Sequence, residues 1–266
     1  MTTIVITEKT TQANQVRAAV GNEFGEILPA QGHLLTLQMP EDVNPLWDWK
    51  NWQFEVLRPQ GGFYKTRKDP KAPDNVKRKL SQIERALKGA SRVILATDPD
   101  REGEGIGREL TDYFNFNGEI YRAMFTAPDP KTIRKAFENL VPASNYENLY
   151  QAFRARQQGD QIFNLTMTRS ATKSIIPEDF KGALGIGRVK TPTLGILCKR
   201  ELEIEKFRSV DYFQIKAQAQ VAAGSFEIRH DPERYGEKVK MTSLDDANRI
   251  LNLANNFTGK IVLKTE

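Results

Sequence analysis

The sequence predicts an α/β domain on a mostly parallel sheet, followed by a mainly α-helical domain and part of a β-rich domain. Three observations predict it. Short apolar runs, TIVIT, RVILAT and EIYRAMF, alternate with amphipathic stretches through the first half of the chain, the pattern of strands joined by crossover helices. From about Asn145, some thirty residues keep helical periodicity with no strand signal. After Phe207 the texture turns to alternation, DYFQIKAQAQV and then SFEIRHD, which reads as antiparallel strands. The expected divisions are residues 1–147, 148–207 and 208–266.

Taken in order, TIVIT is the first strand and TQANQVRAAVG a helix ended by Gly21. Residues 31–73 carry all three tryptophans, Trp47, Trp49 and Trp52, and many prolines, and read as an irregular insertion. The helix DNVKRKLSQIERALKG leads into the buried strand RVILAT; a helix starting near Glu104, the strand EIYRAMF and the helix PKTIRKAFENL follow. NYENLYQAFRARQQGDQIFNLTMTRSATKSI is one long helix, and TPTLGILCKRELEIEKF a second, with Pro192 in its first turn, where proline is tolerated. SLDDANRILNLANN is a helix with Ser243 as N-cap, and GKIVLKTE begins a new strand, so the last domain is expected to be cut short.

Composition narrows the function classes. With 266 residues, 39% hydrophobic and 27% charged, the chain is long enough to bury a core and is not of disordered type. No apolar run approaches the roughly 18 residues that span a bilayer, and TIVIT lacks a basic leader, so the expected compartment is the cytoplasm. The single cysteine, Cys198, excludes an intrachain disulfide and a multi-cysteine zinc site, and is expected to be a buried thiol. The net charge of +5 is unevenly placed: residues 150–208 hold eleven Lys/Arg against six Asp/Glu, and residues 65–92 hold ten against three. Such local basic surfaces suit a polyanion such as nucleic acid, although KRKLSQIERALKGASR alone reads as a solvated helix face.

The strongest chemical signal is LATDPDREGEG at residues 95–105. If RVILAT is a strand of a parallel sheet, Asp98 sits at its carboxyl end, where open α/β sheets place ligands. Pro99 pushes Asp98 towards an extended conformation, so Asp98 and Asp100 are expected to project together. Two converging carboxylates repel unless a cation neutralises them, and the hard-oxygen choice is Mg²⁺. The spacing of Asp98, Asp100, Glu102, Gly103 and Glu109 approaches a calcium-binding EF-hand loop, but the proline and the β-type run before it count against that reading. Gly103, Gly105 and Gly107 invite a dinucleotide reading, which fails because Arg108 stands where a glycine is needed. If the first strand neighbours RVILAT, Glu8 and Lys9 arrive beside the aspartates, giving a proton donor, a cation for phosphate oxygens and a metal site: equipment for phosphoryl transfer.

These residues resemble a known family. Strand-Glu-Lys at the start, GHLLTL at residues 32–37 and ATDPDREGEGIG at residues 96–107 look like the Toprim domain, a Rossmann-like fold, of type IA DNA topoisomerases of the bacterial topoisomerase III kind. ARQQGDQIFNLTMTRSAT is similar to the family's ARxxxDWLxGxNxTRxxT, and GIGRVKTPTLGILCKRELEIEKF to its SxGRVQTPTL segment. The resemblance implies that Glu8 is the general acid, that Lys9 stabilises the scissile phosphate, and that Asp98, Asp100 and Glu102, with Glu8 close by, hold Mg²⁺. It also implies that Arg156, Asp160, Thr168, Arg169, Arg188, Lys190 and Thr191 line a single-strand DNA groove.

The sequence departs from the pattern at Gln161, Asn164 and Thr166, at Gly185, and at Lys190 in place of glutamine. The family's nucleophilic tyrosine lies in a context like TYxRT, in which none of the seven tyrosines here stands. The expectation is therefore the N-terminal portion of a magnesium-dependent, ATP-independent topoisomerase acting on single-stranded, negatively supercoiled or linked DNA. It is expected to be monomeric, in bacterial cytoplasm or nucleoid, with no membrane or nucleotide partner, and inactive in relaxation without that tyrosine. The alternatives are a Toprim-type Mg²⁺-dependent nuclease and a non-catalytic DNA-binding module.

Overall fold

The computed structural model describes residues 2–177, 179, 181–231, 233–234, 237–238, 240–255 and 258. The chain divides into two compact units, Met1–Leu194 and Gly195–Glu266.

The first unit opens with β1 (Thr3–Thr7), α1 (Thr10–Val20) and β2 (Glu26–Pro29). The segment expected to be irregular holds β3 (Leu35–Leu37), the short α2 (Pro40–Val43) and β4 (Thr66–Lys68), with β3 and β4 paired antiparallel. Next come α3 (Asp74–Gly89), β5 (Arg92–Leu95), α4 (Arg101–Tyr113), β6 (Glu119–Arg122), α5 (Pro130–Glu138) and β7 (Val141–Pro142). The long helix α6 (Glu147–Ile175) follows, and α7 (Lys190–Glu205) begins here and continues into the second unit.

The main sheet has the order β2-β1-β5-β6-β7, parallel except for the last pair. The central strands β1 and β5 are buried on both faces, which is why they read as continuous apolar runs. Alternation along β1 assigns the faces. Ile4 and Ile6 join Val93 and Leu95 against Leu80, Ile83 and Leu87 of α3 and Ile106 and Leu110 of α4. Val5 and Ile94 pack on the other side against Val16 and Val20 of α1 and Ile133 and Phe137 of α5. The chain leaves β1 for β2 on one side and later returns to β5 on the other. The carboxyl ends of β1 and β5 therefore flank the point where strand order reverses, the position at which such sheets bind ligands.

The second unit contains the hairpin β8 (Lys216–Val221) and β9 (Gly224–Arg229), the two-residue strands β10 (Glu233–Arg234) and β11 (Glu237–Lys238), and α8 (Leu244–Ala254). Ser243 caps α8 as expected, its hydroxyl accepting from the Asp246 amide at 3.2 Å. The strand expected in GKIVLKTE lies outside the described residues. Two expectations change. The helix expected near Glu104 starts at Arg101, because Asp100 supplies its N-cap. Cys198 is exposed rather than buried, on α7, none of whose residues is buried.

Candidate active site and nucleic-acid interface

At the end of β1, the Glu8 carboxylate is largely covered and lies 2.9 Å from Lys9 Nζ. Lys9 Nζ also donates to Asp98 Oδ2 at 3.2 Å, across the β1–β5 boundary. Gln12, buried in the first turn of α1, ties the same two segments: its Oε1 accepts from the Glu8 amide at 2.8 Å and its Nε2 donates to Asp98 Oδ1 at 3.0 Å. Hydrogen bonds to Glu8 first and then Asp98 raise the Lys9 pKa above its usual value, keeping the ammonium charged.

Beneath these side chains the loop after β5 is pinned from inside. Arg122 of β6, fully buried, donates to the carbonyl of Leu95 at 3.1 Å, to Thr97 Oγ1 at 2.6 Å and to the carbonyl of Asp98 at 3.0 Å. Its Nε lies 2.9 Å from Glu104 Oε2, also fully buried. Asp100 is extended, and its Oδ1 accepts from the Gly103 amide at 2.8 Å, where a carboxylate also meets the positive end of the α4 dipole. The glycines of REGEGIG are packing residues. A Cβ on Gly103 would lie 2.2 Å from the Asp98 carbonyl oxygen, and one on Gly105 2.4 Å from the Phe153 ring of α6. They let α4 approach the loop and α6 closely.

Asp98 and Asp100 line one cavity of about 480 Å³ together with Lys9 and Gln12. Glu102 does not join them. It accepts from His33 Nε2 at 2.6 Å, and His33 Nδ1 lies 3.4 Å from Glu109 Oε2. The hydrogen bond to Glu109 chiefly, with that to Glu102, outweighs burial and pushes the His33 pKa up to about 9, so at neutral pH an imidazolium bridges the two carboxylates. Among the described residues no three Asp, Glu, His or Cys side chains gather closely enough to hold a metal ion. The expected set of Glu8, Asp98, Asp100 and Glu102 is thus not brought together: Glu8 is drawn to Lys9 and Glu102 to His33. The pair that fits a hard cation is Asp98 with Asp100, since Mg²⁺ commonly takes one or two carboxylates and fills its other positions with water or phosphate.

Glu102 instead faces a second cavity of about 600 Å³, which His33, Arg156, Gln157, Asp160 and Asn164 also line. Residues 156, 160, 164 and 168 are spaced by four and share one face of α6. Against that face runs the segment 185–190. Arg188 donates to Asp160 Oδ1 at 2.8 Å and its amide to Asn164 Oδ1 at 3.2 Å; the Ile186 amide donates to Thr168 Oγ1 at 2.9 Å, and Gly187 to Thr191 Oγ1 at 3.0 Å. Asp160, Arg188 and Lys190 line a third cavity of about 350 Å³. Arg169, one residue past Thr168 and so about 100° round the helix, points elsewhere. It is 1% exposed, paired with Glu41 at 2.8 Å, hydrogen-bonded to the Trp47 carbonyl and stacked on Trp49.

A Toprim domain model matches residues 3–128, and a DNA topoisomerase family model matches residues 144–265. DNA topoisomerase 3 of Haemophilus influenzae is 33% identical over 192 residues, 70% of this chain and 28% of that protein. DNA topoisomerase 3 of Bacillus anthracis is 32% identical over 235 residues, 81% of this chain and 30% of that protein. The chain belongs to the type IA DNA topoisomerase family. It spans under a third of the length of these topoisomerase relatives. Full-length topoisomerase I from Thermotoga maritima shares the fold, with a TM-score of 0.56 and 22% identity over 93% of this chain and 37% of that one.

Within this topoisomerase chain, Glu8, Lys9 and Asp98 are brought together by adjacent strand ends. Three contributors were missed in the sequence. Arg122 carried a signal, a charged residue inside the otherwise apolar EIYRAMF. His33, in GHLLTL, is one of only two histidines, but its carboxylate partners are 69 and 76 positions away. Gln12 carried none, since it sits in a polar helix start like many others.

Proposed function

We propose that this chain carries the acid, the phosphate-binding lysine and part of the single-strand groove of a topoisomerase III-like enzyme. The whole protein cuts, passes and rejoins single DNA strands without ATP, the broken diester being conserved in a phosphotyrosyl bond. Residues 1–147 supply the chemistry, 148–207 the groove, and 208–266 belong to a β-rich arch. The observation that carries this reading is the Glu8–Lys9–Asp98 contact at the switch point of the sheet.

A scissile phosphate fits against Lys9, whose charge is secured by two carboxylates. Glu8, largely covered and beside that lysine, acts in its protonated form, delivering a proton to the departing 3′ oxygen and taking it back on religation. Asp98 and Asp100 would hold Mg²⁺, which would supply further positive charge near the phosphate oxygens. Gln12 and Arg122 keep the two segments in register. Along α6, Arg156 and Arg188 are half-exposed, each ion-paired among the described residues with Asp160 alone, and can turn to backbone phosphates, with Lys190 beside Arg188. Thr168 and Thr191 hold the segment that presents Arg188. Arg169 anchors the tryptophan-bearing segment beneath it, a positioning role in place of a strand contact.

The test incubates these 266 residues with negatively supercoiled plasmid and Mg²⁺. The expected result is unrelaxed plasmid together with salt-sensitive binding of single strands. Relaxed closed circles would overturn the reading that the nucleophilic tyrosine is not among these residues. Nicked or linear product that disappears in Asp98→Ala would establish the Mg²⁺-dependent nuclease instead.

A further inference from the structure

The basic run on α3, read from sequence as a solvated face, lines a cavity of about 660 Å³ formed with Gln31. Lys77, Arg78, Lys79 and Arg85 all contribute, and no carboxylate lines it. None of the four has an acidic partner among the described residues. Lys79 reaches only Gln82 Oε1, and Arg85 only the Ser81 carbonyl. Of the two acids on this helix, Asp74 forms no ion pair with the four among the described residues, and Glu84 takes both Lys68 and Lys88. Four cations around the concavity are therefore left without a carboxylate partner among the described residues, although Lys77 shares a helix face with the Glu84–Lys88 pair.

Two features make this more than an ordinary solvated face. Lys77, Arg78 and Lys79 are the fourth to sixth residues of α3, so three cations stand near the positive end of the helix dipole with Asp74 as the one acid of the first turn. Arg78, Gln82 and Arg85 fall on one face, and the two arginines are about 10 Å apart along the axis at ~1.5 Å per residue. At that separation the two guanidinium groups can meet different phosphates of one strand. The cavity also adjoins the candidate active site, because Gln31 on its wall donates to Thr10 Oγ1, next to Lys9, and the Gly32 amide donates to the Glu8 carbonyl.

We infer that the α3 face is a second DNA-backbone site, continuous with the Lys9 end of the sheet and separate from the α6 groove. It takes a row of phosphates through Arg78, Arg85 and the flanking lysines. The inference rests on the reading of the protein as a DNA-binding enzyme.

The experiment measures binding of a fluorescein-labelled single-stranded 20-mer and of a blunt 20-base-pair duplex across salt concentrations. It compares the unaltered chain with two double variants that each remove two positive charges, R78Q/R85Q on the cavity and K68Q/K88Q on the paired side. A third, R188Q/K190Q, reports on the groove. For R78Q/R85Q, the slope of log K against log salt is expected to fall by ~1.4 on the single strand or ~1.8 on the duplex, at ~0.7 and ~0.9 per lost phosphate contact. K68Q/K88Q is expected to lose less than half as much. The arm that shows the fall identifies which form of DNA lies on α3. Equal losses in the two matched doubles, or an unchanged slope in R78Q/R85Q with folding intact by circular dichroism, overturn the inference. If R188Q/K190Q still weakens binding in that case, the proposed function stands without the α3 site. If the unaltered chain binds neither probe, both fall.

Discussion

Arg122–Glu104 and Arg188–Asp160 have almost the same nitrogen–oxygen distance, 2.9 and 2.8 Å, in opposite surroundings. Both side chains of the first pair are 0% exposed, whereas those of the second are 49% and 31% exposed. Burial pushes the Glu104 pKa up and the Arg122 pKa down, and the charge of each opposes that push on the other. Losing either partner strands a charge without water. The second pair sits in solvent, where an ion pair contributes about 0–1 kcal/mol, so its arginine can leave a carboxylate for a phosphate at small cost. Similar contacts thus do different work: the buried pair fixes the loop that carries Asp98, and the exposed pair keeps a cation available.

Four measurements sharpen or break this contrast. The largest effect is expected for Glu104→Ala, which leaves Arg122 buried and unpaired and should cost about 3–5 kcal/mol in denaturant unfolding; a loss below 1 kcal/mol would show that the pair is not what holds the loop. Next, Gly105→Ala drives a methyl group into the Phe153 ring and should cost about 1–3 kcal/mol by overpacking, read as a lowered Tm. An unchanged Tm would mean that α4 and α6 are not in close contact.

The third is a pH effect. Because the folded-state pKa of His33 is raised from 6.5 to about 9, its stabilisation is fully present below about pH 6.5 and is lost as pH rises through 9. Tm should therefore fall over that window, and His33→Gln should flatten the fall; an equal fall in the variant would place its origin elsewhere. The smallest stability effect is expected for Arg188→Gln, within about 0.5 kcal/mol as for most surface changes, while the salt slope for single-strand binding drops by ~0.7. A large stability loss with an unchanged slope would reverse the contrast.

Much of the fold was legible because its signals are local. Apolar runs bounded by turn residues gave β1 and β5, and the limits of α3 and α6 followed from periodicity. The start of α4 was placed late because Asp100 was read as a metal ligand alone, when its carboxylate also caps the helix. Cys198 was expected to be buried because a free cysteine usually behaves as a small hydrophobe, yet it is exposed on α7, as are its neighbours Ile196 and Leu197. Arg169 was grouped with Thr168 by motif, yet a step of one residue on a helix turns it towards Glu41 and Trp49.

By itself the sequence determined which chemistry is present. Glu8 and Lys9 follow one strand and Asp98 and Asp100 lie in the loop after another, because strand propensity and the constraint of Pro99 act over a few residues. Only the tertiary structure decided how those carboxylates are shared. Parallel pairing of β1 with β5 joins Lys9 to Asp98 across 89 positions, and the packing of α4 on α6 brings Glu102 within reach of His33. Which cation each carboxylate meets depends on distances that fall off within a few ångströms and on burial that changes the worth of every charge. Neither is written in the spacing of residues along the chain.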